Sequence, residues 1–385
     1  MAGANFQSGT VWTGDNLTIM RGMNSACVDL IYLDPPFNSN RNYAAPIGSK
    51  AAGAAFKDAW TLDDVDVHEH GELAENNPAA HAVIAAARLS HGKSMMAYLI
   101  FMAVRLLEMH RILKPTGSLY LHCDRAASHY LKLLLDATFG PKNVNNEIIW
   151  SYKSGGGSRR HFGNKHDTLF WYRKGRDWTF NADSVRVPYD AVIAQKRSHL
   201  FHKDGKVMGD VWDIPRPPNH AKERTGYPTQ KPLALLDMII KASSHPGDMV
   251  FDPFCGCATT LVAADRLQRH WAGVDLSPRA VELVNTRIAQ DREGLGTRWS
   301  GAIALDAPPR RSDLGESPHF RYRSDKHFLY GRQEGVCNGC NLPFPFGNLE
   351  VDHLPRSEGG TDHLDTLQLL CSACHHSKNG APHGG

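Results

Sequence analysis

Two loops and one cluster of thiols hold the residues of this 385-residue chain that could do chemistry. The first loop is Asp34-Pro35-Pro36-Phe37. Its two prolines fix the backbone, so the Asp34 carboxylate and the Pro35 carbonyl converge with little entropy left to lose. Two converging acceptors beside the face of Phe37 suit a planar ring bearing an exocyclic amine, because each N–H meets an acceptor while the ring stacks. The second loop runs from Asp252 through Phe254 and Gly256 to Thr259. Small residues between a strand and a helix let a ligand approach the backbone, and Asp275, ending the next strand, suits ribose hydroxyls. Such a turn fits a dinucleotide equally well. The thiols are Cys337 with Cys340 and Cys371 with Cys374, two CxxC pairs separated by thirty residues and suited to tetrahedral zinc.

These residues need elements to hold them. Val28 to Leu33 is a short apolar run halted by the two prolines, the pattern of a buried strand. Ser118 to His122 and Met249 to Phe251 read as strands of the same kind, and Trp271 to Leu276 as a fourth. Helical spacing of apolar residues covers Ser94 to Leu113, Thr259 to Leu267 and Pro278 to about Ala289. The alternation predicts an α/β fold with a doubly wound, mostly parallel sheet covered by helices on both faces. Ligands then bind at the carboxyl ends of the strands. Gly294 to Pro318 lacks periodicity, so the expected division is a domain over 1–293, a linker over 294–325 and a small module over 326–385.

With 42% hydrophobic and 22% charged residues the composition is globular, which excludes a fibre or a disordered tail. The longest apolar run, Met95 to Val104, is well short of the roughly 20 residues that cross a bilayer. The N-terminus shows no secretory pattern, so a soluble, cytoplasmic protein with no membrane partner is expected. The net charge of +3 conceals an asymmetry: residues 151–232 hold 16 Lys/Arg against 8 Asp/Glu. A basic block between mildly acidic ones is either a polyanion-binding face or an ordinary solvated surface.

The two loops together resemble those of the S-adenosylmethionine-dependent DNA amino-methyltransferases, which methylate adenine N6 or cytosine N4. Asp34-Pro35-Pro36-Phe37 matches the family's (D/N/S)PP(Y/F/W) motif, and Phe251 to Cys257 matches its cofactor turn, with Ala258 where a further glycine is common. The catalytic loop precedes the cofactor loop, the permuted order of the beta group. Gly14-Asp15-Asn16, Tyr227 to Pro232 and His166-Asp167 ahead of Phe170-Trp171-Tyr172 extend the resemblance over most of residues 10 to 290.

The resemblance implies a Rossmann-like domain binding S-adenosyl-L-methionine through Asp15, Asn16, Thr229, Lys231, Asp252, Phe254, Gly256 and Asp275. Asp275 would take the ribose, Asp15 the adenine end and the Lys231 region the methionine end. It implies Asp34, Pro35, Pro36 and Phe37 as catalytic residues acting on a base flipped from double-stranded DNA, at a cost on the order of a few kcal/mol. Phe170-Trp171-Tyr172 reads equally as strand core or as the source of an aromatic second wall of the pocket. The basic stretch falls where the group carries its target-recognition region, about 153–226, with Arg159 and Arg160 in a cationic loop against phosphates. Aspartate at the first catalytic position leans toward adenine and leaves cytosine N4 as the alternative. Dimers are common in this group, so a homodimer stays open.

The C-terminal stretch from about 326 to 380 resembles the HNH endonuclease ββα-metal module. Carried over, His353 is the general base, Asp352 and His375 hold a divalent cation such as Mg2+, and His376 is the fallback ligand. The four cysteines would bind structural zinc, without which so short a module lacks a sufficient core. Thr366 stands where the signature has asparagine, so cleavage and plain DNA binding both remain readings of the module.

Overall fold

The computed structural model describes residues 3–39, 41–46, 48–153, 157, 159–189, 202–218, 220–294, 296–313, 325–354 and 367–379. In chain order the elements begin with β1 (Thr10–Thr13), α1 (Asn16–Gly22), β2 (Val28–Leu33) and a hairpin of β3 (Arg41–Ala44) with β4 (Ala55–Asp58). Then come α2 (Val67–Asn76), α3 (Pro78–Ile112), β5 (Leu113–Cys123), α4 (Ser128–Phe139), β6 (Val144–Ser151) and β7 (His166–Arg173). Short strands β8 (Arg186–Val187), β9 (Lys206–Val207) and β10 (Val211–Asp213) precede α5 (Leu233–Ser243), β11 (Met249–Asp252) and α6 (Thr259–Arg266). They are followed by β12 (His270–Asp275), α7 (Arg279–Gly294), β13 (Ile303–Leu305), α8 (Asp325–Arg332), β14 (Leu349–His353), β15 (Leu367–Cys371) and α9 (Ser372–Asn379). Contacts divide the chain into two units, Met1–Ala59 with Arg105–Leu314 and Trp60–Val104 with Gly315–Gly385.

The first unit is built on a sheet ordered β10-β6-β7-β5-β2-β11-β12-β1-β13. β7 runs antiparallel to β5 and β6, and the other neighbours are parallel, as expected of a mostly parallel sheet. Side chains alternate between faces along each strand. Leu30 and Tyr32, Ile148 and Trp150, and Leu169 and Trp171 share a core with Leu235, Ile239, Leu261 and Val284 from α5, α6 and α7. The intervening residues Ile31, Leu33, Leu121 and Tyr172 are equally buried. Tyr172 donates to Asp136 of α4 (2.6 Å) and packs on Phe139, so helices cover both faces. Strands buried on two sides must be apolar throughout, which is why VDLIYL shows no alternation.

Three stretches singled out in the sequence take places in this sheet. The stretch read as recognition insert supplies two strands of the sheet, β7 and β10, because its apolar runs are short and separated by polar loops. The stretch read as linker supplies β13, which pairs in parallel with β1 (Thr10↔Ile303). Phe170, Trp171 and Tyr172 are buried strand core, and Trp171 stacks on Tyr120 at 5.3 Å and donates to Ser118.

The second unit pairs β14 with β15 antiparallel, with α9 following β15. Its core joins Ala74 of α2 to Leu329, Tyr330, Phe346, Leu349 and Leu369. α2 and α8 cross at two glycines, since a Cβ on Gly71 would stand 2.3 Å from the His327 carbonyl and one on Gly331 1.8 Å from that of Val67. Residues 60–104 thus give residues 326–379 apolar surface that their own length cannot supply.

Candidate functional site

Four adjacent strands of the first unit end at one edge and deliver the loops read from the sequence. β2 runs into Asp34, β11 into Asp252 and Gly256, β12 ends on Asp275, and β1 leads to Gly14-Asp15-Asn16. The register fixes their level: Phe251 lies beside Ile31, Asp252 beside Gly273, and Thr13 beside Asp275. Asn16 Nδ2 donates to the Pro253 carbonyl (2.8 Å), which ties the β1 loop to the β11 loop. This is the crevice outside the carboxyl ends of parallel strands, where ligands bind in such sheets.

Asp34 is the centre of the edge. Its Oδ2 accepts from Lys231 Nζ, and its Oδ1 is buried without a hydrogen-bond donor. A buried carboxylate oxygen left unpartnered is costly unless a ligand donor completes it. Pro35 is buried beside it, Pro36 is half-buried, and Phe37 stacks on the His122 ring (centroids 6.1 Å, 24°). His122, at the end of β5, has no solvent exposure, and Tyr32 and Asp167 bracket it at 3.0 Å and 3.2 Å. Burial, followed by repulsion from Lys231, lowers the His122 pKa, so the ring is neutral. It then accepts from the Tyr32 hydroxyl at Nδ1 and donates from Nε2 to Asp167. Tyr152 donates to the other oxygen of Asp167 (3.0 Å), and the Arg216 guanidinium lies 3.6 Å over the Tyr152 ring. His166-Asp167 was visible in the sequence, but His122, Tyr152 and Arg216 were not. A lone histidine ending an apolar run carries no signal of its partners.

The neighbouring turn is preorganised. Gly256 has φ +49°, and its N–H donates to Asp275 Oδ2 (2.9 Å) while Ser277 N–H donates to Oδ1 (2.8 Å). A carboxylate offers about four lone-pair sites, so two remain for hydroxyls of a ligand. A Cβ on Gly256 would sit 3.2 Å from the Tyr227 ring in a left-handed backbone. Gly256→Ala is therefore expected to cost about 1–2 kcal/mol of stability and to weaken cofactor binding, which melting curves with and without ligand will show. Ala258, at the position where a further glycine is common, also adopts the left-handed conformation (φ +67°) ahead of α6. Asp15 caps α1 and pairs with Arg105 Nη2 at 2.5 Å, and Arg105 Nε reaches Asn16 Oδ1 at 2.7 Å. Arg105 had been read only as part of a helix. Lys231 lies on Asp34 and Thr229.

Asp252 is fully desolvated, and that burial raises its pKa to about 7 against bonds from Thr260 and the Phe254 N–H, with Asp34 and Asp275 adding repulsion. A raised folded-state pKa means this group's stabilisation is complete below about pH 4 and is lost as pH climbs through about 7. The stability advantage of the ligand-free wild type over Asp252→Asn is expected to shrink across that window, read as melting temperature against pH. Cys255 and Cys257 are buried and pack the turn, and burial pushes the Cys255 thiol well up, away from the thiolate.

Arg159 and Arg160 are exposed in the segment between β6 and β7, beside Phe162 at 98% exposure. Ser154, Gly155, Gly156 and Ser158 of that loop lie outside the described residues.

In the second unit the sulfurs of Cys337, Cys340, Cys371 and Cys374 all lie within 4.8 Å of one another, Cys340 and Cys371 at 3.9 Å. A tetrahedron with bonds of about 2.3 Å has edges of about 3.8 Å, so the four fit zinc. Cys337 Sγ accepts from the Cys371 (3.1 Å) and Gly339 (3.4 Å) amides, the donors a thiolate needs. On β14, Asp352 pairs with Lys378 (2.6 Å) of α9 and exposed His353 accepts from Lys378 through its carbonyl. His375 of α9 pairs with Glu350 at 3.0 Å, and His376 bonds the Ser372 carbonyl. Strand and helix therefore bring Asp352, His353 and His375 to one ββα unit, and Thr366 lies outside the described residues.

A family model described as DNA methylase matches residues 28–286, and one described as HNH endonuclease matches residues 337–380. The DNA adenine methyltransferase YhdJ of Escherichia coli (strain K12) is 27% identical over 289 residues, covering 72% of this chain and 82% of that protein. The type II methyltransferase M.HpaI of Haemophilus parainfluenzae is 28% identical over 278 residues, covering 71% of this chain and 72% of its own length. Among solved structures, a DNA modification methylase from Thermus thermophilus, in complex with S-adenosyl-L-methionine, aligns with a TM-score of 0.48 at 20% identity, over 77% of this chain and 98% of that one.

Proposed function

Because the chain belongs to the DNA methylase family and carries an HNH endonuclease domain behind it, we propose that it methylates N6 of an adenine flipped out of double-stranded DNA. The observation that carries this reading is the buried, unpartnered Oδ1 of Asp34 at the same sheet edge as the Gly256 turn. When bound, S-adenosyl-L-methionine supplies an electrophilic methyl group on a sulfonium. Gly256 and Asp275 bind its nucleoside end, with Asp15 and Asn16 held beside them by Arg105. Asp34 Oδ1 and the Pro35 carbonyl accept the two N–H groups of the target amine, and Phe37 stacks its ring. Holding the amine this way fixes its lone pair in line with the methyl, a gain of orientation that bulk solvent cannot give.

Aspartate at position 34 and the adenine-specific relative of E. coli favour adenine over cytosine N4. Mass spectrometry of nucleosides from DNA incubated with protein and cofactor tests this. N6-methyladenine is the expected product, and N4-methylcytosine alone overturns the assignment. Arg159 and Arg160 are proposed to contact phosphates. Replacing both by alanine should weaken binding to all sequences alike and reduce the slope of log affinity against log salt by about two.

The HNH domain is proposed to nick DNA with His353 as general base and Asp352 and His375 holding a divalent cation. The second reading, DNA binding without cleavage, is favoured by the Lys378 ammonium resting on Asp352. Mg2+-dependent nicking of unmethylated DNA that disappears in His353→Ala supports cleavage, and its absence in the wild type leaves binding alone. Action on nucleoid DNA in the cytoplasm, and a homodimer of the kind common in this group, belong to the same proposal. Sedimentation of the wild-type protein reads the latter.

A further inference from the structure

We propose that Lys231 is a positioning residue of the methyl-transfer site: it occupies one oxygen of Asp34 and turns the other toward the target amine, and it is not a ligand for the cofactor's methionine end. The inference rests on the methyl-transfer reading and deepens it.

Lys231 Nζ donates to Asp34 Oδ2, and to the Thr229 carbonyl at 3.3 Å. It stands 5.4 Å from the centroid of the Phe37 ring, and its side chain is 7% exposed. The ammonium therefore touches both residues that would grip the base. With Oδ2 filled, the carboxylate cannot rotate freely, and Oδ1 is the oxygen left without a donor. Thr229 supplies an independent sign that this placement matters. It has φ +63°, and a β-branched residue is strained in the left-handed region. The strain turns the Thr229 carbonyl onto the ammonium, two residues along the chain.

The pair also sorts bases. A carboxylate bound to an ammonium only accepts hydrogen bonds. Adenine N6 and cytosine N4 bring N–H donors to Oδ1, whereas guanine O6 and thymine O4 bring lone pairs and are repelled. Lys231 thereby ties the amine specificity of the pocket to a residue 197 positions from Asp34 in the chain.

The test compares wild type with Lys231→Met. The single-turnover methylation rate at saturating cofactor should fall on the order of a hundredfold, while the Kd for S-adenosyl-L-methionine, measured by calorimetry without DNA, stays within about threefold. The opposite split, a loss of about tenfold or more in cofactor affinity with the saturated rate intact, overturns the proposal and returns Lys231 to the cofactor. Melting temperatures of Lys231→Met, Asp34→Asn and the double variant close a cycle: the double should be less destabilised than the sum of the singles, and additive shifts overturn the pairing. If Lys231→Met does not fold, Lys231→Gln, which also removes the charge, takes its place in both measurements, with the same split expected. A wild-type protein that transfers no methyl overturns the methyl-transfer reading, and the melting cycle, which needs no activity, still decides whether the pair exists.

Discussion

Replacing Asp34 by alanine is expected to lower the single-turnover rate of methyl transfer by about 10²–10³-fold. In the proposed mechanism Asp34 offers one of the two acceptors for the target amine, and its free oxygen is already shielded from water. Electrostatic interactions in such a site are worth far more than in solution, because little solvent screens them. The same change leaves the Lys231 ammonium without its carboxylate, and that side chain is only 7% exposed. Removing one partner of a buried pair costs about 3–5 kcal/mol, and the 19% exposure of the Asp34 side chain moves the expectation to the lower end. The variant should therefore melt earlier as well as react more slowly. Folded protein selected at low temperature, followed by single-turnover kinetics, separates the two effects. Methylation at the wild-type rate would remove Asp34 from the reaction.

Removing zinc should unfold the second unit. Four sulfurs within 4.8 Å of one another cannot stay together as thiolates without a cation between them. The metal contributes about 10–16 kcal/mol to such modules, as much as a whole domain's net stability of about 5–15 kcal/mol. The apolar core here, from Ala74 to Leu370, is too small to make up the difference. Chelation, or Cys371→Ser, is expected to abolish hydrogen-exchange protection in β14, β15 and α9. The strands β2, β11 and β12 of the first unit should keep theirs. Retained protection of β14 after complete zinc removal would show that the α2–α8 crossing alone holds the module.

The sequence by itself determined where the loops fall. Asp34-Pro35-Pro36-Phe37, the Gly256 turn, Asp275 and the paired cysteines are local patterns in which the residue types themselves set the backbone and the available donors, and each is found where its spacing implied. The parallel sheet was equally legible, because strands buried on both faces must be continuously apolar. What only tertiary structure decided is which distant side chains meet. Lys231 on Asp34, Arg105 on Asp15 and His122 between Tyr32 and Asp167 join residues 45 to 197 positions apart. No periodicity records such pairings, since a buried charge or imidazole is placed by whatever partner the fold brings to it. The same holds for β10 and β13, whose runs of three residues became strands only because the sheet offered an edge to pair with. It holds also for residues 60–104, whose contribution to the core beneath the zinc cluster depends on two glycines that let α2 and α8 touch.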